Sequence, residues 1–197
     1  FRTRCLPTSV LPYTENFDEY GSGVSGAAYF PGCWTRKTNY STNYPYISTS
    51  YHSTGTSSIY FYCTSANYSL AASQGLDLSQ YPANSLMLEF KLRRTSTSYG
   101  RLDVGVMTDP DDLTTFTLLK TITPSDFSTT TNFESFAVPL PNAYTDVVYL
   151  AFYAPQSITS YVYLDEVVLK EATCSSPSDL EVSNVAGTSA LVSWTEA

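Results

Sequence analysis

The chain has 197 residues, 43% of them hydrophobic and only 14% charged, with a formal net charge of −8. Enough apolar content is present for a packed core, so a disordered chain is excluded, and the acidic balance disfavours nucleic acid and anionic membrane as partners. No apolar run approaches the roughly 20 residues that span a bilayer, so membrane insertion is not expected.

Taken in order, FRTRCLPTSV (residues 1–10) reads as the end of one strand plus a Pro-containing linker. TENFDE follows at 14–19, and then an uncharged stretch runs from Thr38 to Gly75. Inside it, Tyr40, Tyr44, Tyr46 and Tyr51 sit among Ser, Thr, Asn and Gly without strict alternation, which predicts that some of these rings are partly exposed. An exposed tyrosine offers a rigid apolar ring with a polar tip, and an uncharged, hydroxyl-rich surround suits a neutral glycan; packing of the loop over one end of a sandwich is the alternative.

From SIYFYC (58–63) onward, period-two alternation dominates. In LMLEFKLRR, Leu86, Leu88, Phe90 and Leu92 point one way and Met87, Glu89, Lys91 and Arg93 the other. RLDVGVM, FTLLKTI, NFESFAV, DVVYLAFYA and YVYLDEVVLK follow, separated by turn material such as STSYG, TDPDD and PNAYTD. No segment carries a helical repeat, so the expectation from the pattern is an all-β sandwich or barrel, which the resemblance given below narrows to an antiparallel two-sheet jelly roll. At about residue 173 a new pattern starts: a Cys and a Pro, the strand DLEVSNV, a turn at AGTS and the strand ALVSW. Beginning at Phe1 and ending within a strand-like pattern, the chain reads as a piece of a longer protein.

The four cysteines, Cys5, Cys33, Cys63 and Cys174, lack metal-ligand spacing, and a single histidine cannot complete a zinc site with them. Four cysteines allow three pairings. Cys5 and Cys174 bracket the central region and could meet if its ends meet. Cys63 shares the apolar face of SIYFYC, which leaves a buried free thiol and a Cys33–Cys63 bridge as alternatives.

P-S-D-L-E-V-S-N-V followed by G-T-S-A-L-V-S-W resembles the first two strands of a fibronectin type III module, with Trp194 as its core tryptophan, and FRTRC resembles the last strand of such a module in Bacteroidetes surface proteins. Between them, LPYTENFDEY, FPGCW, YGRLDVGVMTDPDD and YVYLDEVVLK resemble the MAM-like jelly-roll domain of the cleaved adhesin family, which includes the adhesin domains attached to gingipain proteases. The resemblance implies three parts: residues 1–10 as the end of a preceding module, 11–172 as the jelly roll, and 173–197 as the start of a fibronectin type III module. It also places Trp34 in the core. After Trp34 the sequence departs from the family pattern, with the Tyr/Ser/Thr tract in place of an Asp/Gly-rich loop.

A jelly roll sets its first and last strands side by side. Both faces of YVYLDEVVLK are largely apolar, so one of its adjacent carboxylates must approach the interior, where it needs a cation, a metal or strong donors. Hard oxygen ligands from two chain ends suit Ca²⁺. In resembling families such a site pins the terminal strands, and the matching positions are Glu15, Asp18 and Asp165; ordinary surface carboxylates, or pairing with Arg36 or Lys37, are the alternatives. Asp109, Asp111 and Asp112 lack the spacing of an EF-hand and read as a turn between strands. Catalysis would have to use His52, and no serine has nucleophile-elbow flanks, so no enzyme is expected. The reading is a noncatalytic adhesion or carbohydrate-binding module of a secreted or cell-surface bacterial protein, with a glycan or an extracellular host protein as partner. A spacer between modules and an accessory domain of a larger hydrolase or protease are the alternatives.

Overall fold

The computed structural model describes residues 5–20, 30–42, 44–156, 158–173 and 178–195. Two antiparallel sheets face each other across one core. The first has the order β3 (Tyr46–Ser48), β4 (Ser58–Cys63), β12 (Ser160–Glu171), β7 (Leu86–Arg94), β10 (Glu134–Leu140), and β1 (Tyr13–Glu15) also pairs with β12. The second has the order β2 (Thr35–Thr38), β5 (Ser69–Ala72), β11 (Val147–Ala154), β8 (Leu102–Met107), β9 (Thr117–Ile122), with β6 (Leu76–Asp77) also on β11.

The alternation read from LMLEFKLRR is the burial pattern of β7, in which Leu86, Leu88, Phe90 and Leu92 are buried and their neighbours half-exposed. Trp34 lies in the core, edge-on to Phe17 with ring centroids 5.3 Å apart and stacked near Phe152 at 6.2 Å. Phe152 meets Phe90 edge-on at 5.3 Å, so a chain of rings joins the two sheets.

The two sheets differ on their outer sides. In β8 all six residues are buried, because residues 108–116 cross its outer side and Phe116 lies over Gly105, where a Cβ would collide with the Thr117 carbonyl and the Phe116 ring. Leu70, Ala72, Met107 and Ala151 form a second apolar cluster there, packed by Leu113, Phe116, Tyr149 and Tyr153. The acidic run at 109–112 builds this cover. Asp112 caps the one-turn helix Leu113–Thr115 by accepting from the Thr114 N–H, and Asp111 pairs with Lys37 at 2.7 Å.

The disulfide joins Cys5 to Cys33, neither of the two bridges weighed from the sequence. Its physical basis is that residues 5–10, expected as a linker, run along the sandwich: Thr8 donates to the Gly75 carbonyl at 3.0 Å and accepts from the Asp77 N–H at 2.9 Å. That brings Cys5 beside Cys33, just before Trp34. Cys63 is a buried free thiol on β4, pushed up to about 11 by burial. Cys174 lies outside the described residues. The strands β13 (Ser178–Ala186) and β14 (Ser189–Thr195) form a separate two-stranded sheet. Residues 1–4 and the side chain of Trp194 also lie outside what is described.

Candidate functional site: a tyrosine face and an acidic junction

The outer side of the first sheet carries tyrosines in register. Tyr46 faces Tyr60 across β3–β4, Tyr60 faces Tyr163 across β4–β12, and Tyr163 faces Arg93 across β12–β7. Cross-strand neighbours on one face lie within contact range, so outward tyrosines on adjacent strands stack. Tyr60 and Tyr163 are parallel with centroids 4.4 Å apart. A second row, Tyr62 and Tyr161, lies one outward step along, with centroids 5.2 Å apart and Tyr99 against Tyr161 at 5.6 Å. Tyr44 ties the rows together at the β3 edge, where it contacts Tyr40, Tyr46, Tyr60 and Tyr62.

Residues 49–57 then fold over the middle of this face. Tyr51 stands edge-on to Tyr163 at 5.1 Å and lies over the Arg93 guanidinium, with Cζ 3.7 Å from the ring centroid. Most rings are half-buried against each other; Tyr51 and Tyr99 are the exposed members, at 39% and 44%. Burial, followed by neighbouring hydroxyls, pushes the Tyr44 and Tyr163 hydroxyls up to about 12, and Tyr60 shifts the same way. These three phenols are therefore neutral hydrogen-bonding groups at any physiological pH. Beyond Arg93 the same face dips into a hollow of about 400 Å³ lined by Glu89, Lys91, Ser135, Ala137, Glu166 and Val168.

The acidic junction lies beside the tyrosines. One edge of β12 is taken by β4 along residues 160–164 and by β1 along 167–169. Between the two, β12 slips its register from Asp165 to Val168, and Glu166 adopts φ 51°. A bulge of this kind re-aims side chains. Asp165, fully buried, accepts from the Ser53 N–H at 2.6 Å and the Glu166 N–H at 2.8 Å. Burial raises its pKa to about 6, and the Glu166 and Asp18 carboxylates add to the rise. Asp18 reaches the same loop, where its Oδ1 accepts from the Thr56 N–H at 2.6 Å and the Ser57 N–H at 3.0 Å, and Glu166 contacts the Thr54 hydroxyl. Lys91 donates to the Ser53 hydroxyl at 3.0 Å.

Gly55 makes the loop possible. Its φ of 61° is left-handed, and a Cβ there would fall on the Asp18 carboxylate. Gly55→Ala is expected to cost roughly 2 kcal/mol, seen as a fall of about 4–8 °C in melting temperature. An unchanged melting curve would mean that Asp18 is not held against this loop.

Searches of protein families and of curated proteins return no match. Among solved structures, the K2 cleaved adhesin domain of Lys-gingipain superposes with a TM-score of 0.58 at 15% identity, covering 80% of this chain and 98% of that one. The fold is that of the cleaved adhesin domains. The K1 cleaved adhesin domain of Lys-gingipain from Porphyromonas gingivalis W83 gives a TM-score of 0.56 at 20% identity, over 83% of this chain and 99% of that one. A carbohydrate-binding module from the beta-sandwich superfamily, described as having promiscuous specificity, gives 0.53 at 12% identity over 82% of this chain; the chain spans 62% of its length. At these identities the likeness is one of fold.

Within this cleaved-adhesin fold, Tyr40, Tyr44, Tyr46 and Tyr51 join one aromatic surface, together with Tyr60, Tyr62, Tyr161 and Tyr163 from regular strands. In the sequence Tyr60 and Tyr62 are marked only as members of the SIYFYC strand, and Arg93 only as an outward residue of LMLEFKLRR. Their alternation was visible, but which strands become neighbours was not. His52 is exposed on the covering loop. Of the expected metal ligands, Asp18 and Asp165 meet at the loop. Glu15 serves elsewhere: its Oε1 accepts from the Phe17 N–H at 2.8 Å and its Oε2 from the Tyr20 hydroxyl at 3.0 Å. Among the described residues, no group of three or more His, Cys, Asp or Glu side chains is arranged to hold a metal ion. A calcium ion here fits only as a guest of two carboxylates completed by loop oxygens, the kind of mixed donor set that this hard cation accepts.

Proposed function

We propose that the chain is a noncatalytic recognition module that binds glycans on the outer face of its first sheet. The observation that carries this reading is the asymmetry between the two outer faces. One is closed by residues 108–116 over an apolar cluster, and the other displays stacked tyrosines that run into an open hollow. A tyrosine surface presents flat apolar area at low entropic cost and neutral hydroxyls for hydrogen bonds, which suits the faces and hydroxyls of sugar rings. The adhesin and carbohydrate-binding folds of the structural neighbours support the same class of role, and the disulfide suits an extracellular setting.

The test is an oligosaccharide array on the purified chain, followed by calorimetry on any hit with Tyr51→Ala and Tyr99→Ala. These rings are the exposed ones, so their loss should spare the fold while weakening binding by tenfold or more, in line with the worth of a buried aromatic contact. Binding that survives both changes would move the site off this face, and an array with no hit would leave a module whose work is to space its neighbours.

The second element of the proposal is a structural calcium ion at Asp18 and Asp165. A fully buried carboxylate with two more acidic side chains close by is a site of concentrated negative charge, and Lys91 is the cation nearest to it in register. Bound there, the ion would tie the end of β1, the 53–57 loop and the last strand together. The third element concerns β13 and β14. A lone hairpin is marginal in water, and this one exposes Val182, Val185, Leu191 and Val192. Those features support the reading of residues 173–197 as the opening strands of a fibronectin type III module.

A further inference from the structure

The tyrosine face contains one cation whose bonding is incomplete. Arg93 projects outward from β7, its guanidinium carbon lies 3.7 Å from the centre of the Tyr51 ring, and its Nε is buried without a hydrogen-bond partner among the described residues. No carboxylate pairs with it among the described residues: Asp103 takes Arg101, Asp111 takes Lys37 and Glu89 takes Lys170. The groups around it are neutral. Tyr163 lies opposite on β12 and Tyr51 lies above. Lys91, two residues back on the same outward side, lines the hollow beside Ser135, where it faces the Glu166 carboxylate and a Glu89 carboxylate that is paired with Lys170.

Leaving a buried donor unsatisfied is costly; the enclosed Nε is out of a ligand's reach, so the terminal edge of this half-buried guanidinium is the part that a ligand would meet. That edge matches a carboxylate, which accepts two parallel hydrogen bonds from it. We infer that Arg93, clamped under Tyr51 and followed by Lys91 at the hollow, is a carboxylate-binding subsite, so that the ligand of this face is a glycan bearing an acidic sugar. This rests on the glycan-binding reading above and narrows it. The chain's net charge of −8 opposes densely charged polyanions, so the ligand is a mostly neutral oligosaccharide with isolated carboxylates and not a heavily sulfated one. The uncharged tract around the tyrosines had pointed to neutral sugars; the cation comes from β7, outside that tract.

The experiment is calorimetry with matched probes: galacturonic acid oligomers against their carboxyl-reduced counterparts, and sialyllactose against lactose, each at low and high salt. Tighter binding of the carboxylated member of either pair, by tenfold or more, is expected, and which pair responds tells a uronic acid from a sialic acid. Arg93→Gln should bring the ratio within a pair to about one, and Arg93→Lys, which keeps the charge without the fork, should retain part of it. Circular dichroism and melting of both variants verify that the fold is kept. Equal binding of neutral and carboxylated probes by the unaltered chain would overturn the subsite while leaving the glycan face standing. A preference that persists in Arg93→Gln would overturn it as well, and no binding of any probe would overturn both readings.

Discussion

Replacing Trp34 with alanine is expected to lower the unfolding free energy by about 4 kcal/mol and the melting temperature by roughly 10 °C. The side chain is 1% exposed, and three features converge on it. Phe17 meets it edge-on, held at a φ of 62° that a phenylalanine rarely adopts, with its N–H bonded to the Glu15 carboxylate. Phe152 stacks on it from the second sheet and passes the contact to Phe90 in the first. The neighbouring residue, Cys33, anchors the N-terminal segment. Removing the indole leaves a void bounded by ring faces that are fixed from both sheets and cannot close in, the circumstance in which cavity costs are largest. Urea denaturation followed by tyrosine fluorescence and circular dichroism reads the effect. A fall in midpoint without a change in slope is the expected form. A loss below about 1 kcal/mol would mean that Phe17 and Phe152 can repack, and that the ring chain does not hold the sheets together.

In EDTA, stability is expected to decline as pH rises from about 4 to about 7, by at most about 3 kcal/mol and by less where solvent screens the charge. The sign follows from Asp165. Burial raises its folded pKa from 3.8 to about 6, so between those values the folded chain holds a proton that the unfolded chain has released. Unfolding then releases a proton, and raising the pH favours it; the stabilisation is fully present below about 4 and is lost through about 6. Exposed carboxylates titrate in the opposite sense. Asp77, Asp112 and Asp126 are lowered by hydrogen bonds from Ser79, Thr114 and Thr123, so their contribution is lost as pH falls below their usual range. The metal-free chain should therefore be most stable in mildly acid solution. Millimolar Ca²⁺ should raise the melting temperature at pH 7 and flatten the decline, because the ion favours the ionised carboxylate. Asp165→Asn should lose both the pH window and the calcium response. A melting temperature indifferent to Ca²⁺ at pH 7 would remove the ion from the proposal and leave hydrogen bonds from the loop and from the Glu166 amide as what holds Asp18 and Asp165.

The two predictions depend on different kinds of information. Trp34 was placed in the core by its family position. The Asp165 effect was legible in outline, since a strand with two apolar faces cannot carry adjacent carboxylates without turning one inward. Which donor receives that carboxylate could not be read, because Ser53 comes from a loop 112 residues away in the chain. Glu15, expected with Asp18 and Asp165, has local partners instead: an N–H two residues on and a hydroxyl five residues on.

By itself the sequence determined the inward face of strands such as β7, because alternation has a period of two and burial follows it residue by residue in LMLEFKLRR. It also determined that the tract from Thr38 to Gly75 would be uncharged and rich in tyrosine. Tertiary structure decided the rest, since strand pairing is nonlocal and alternation alone names no partner. Pairing β12 between β4 and β7 stacked Tyr163 on Tyr60 and set it opposite Arg93. The bulge at Asp165 opened a gap on the β12 edge for the 53–57 loop, and the path of residues 5–10 along the second sheet joined Cys5 to Cys33. A surface assembled from five separated segments has no signature in any one of them.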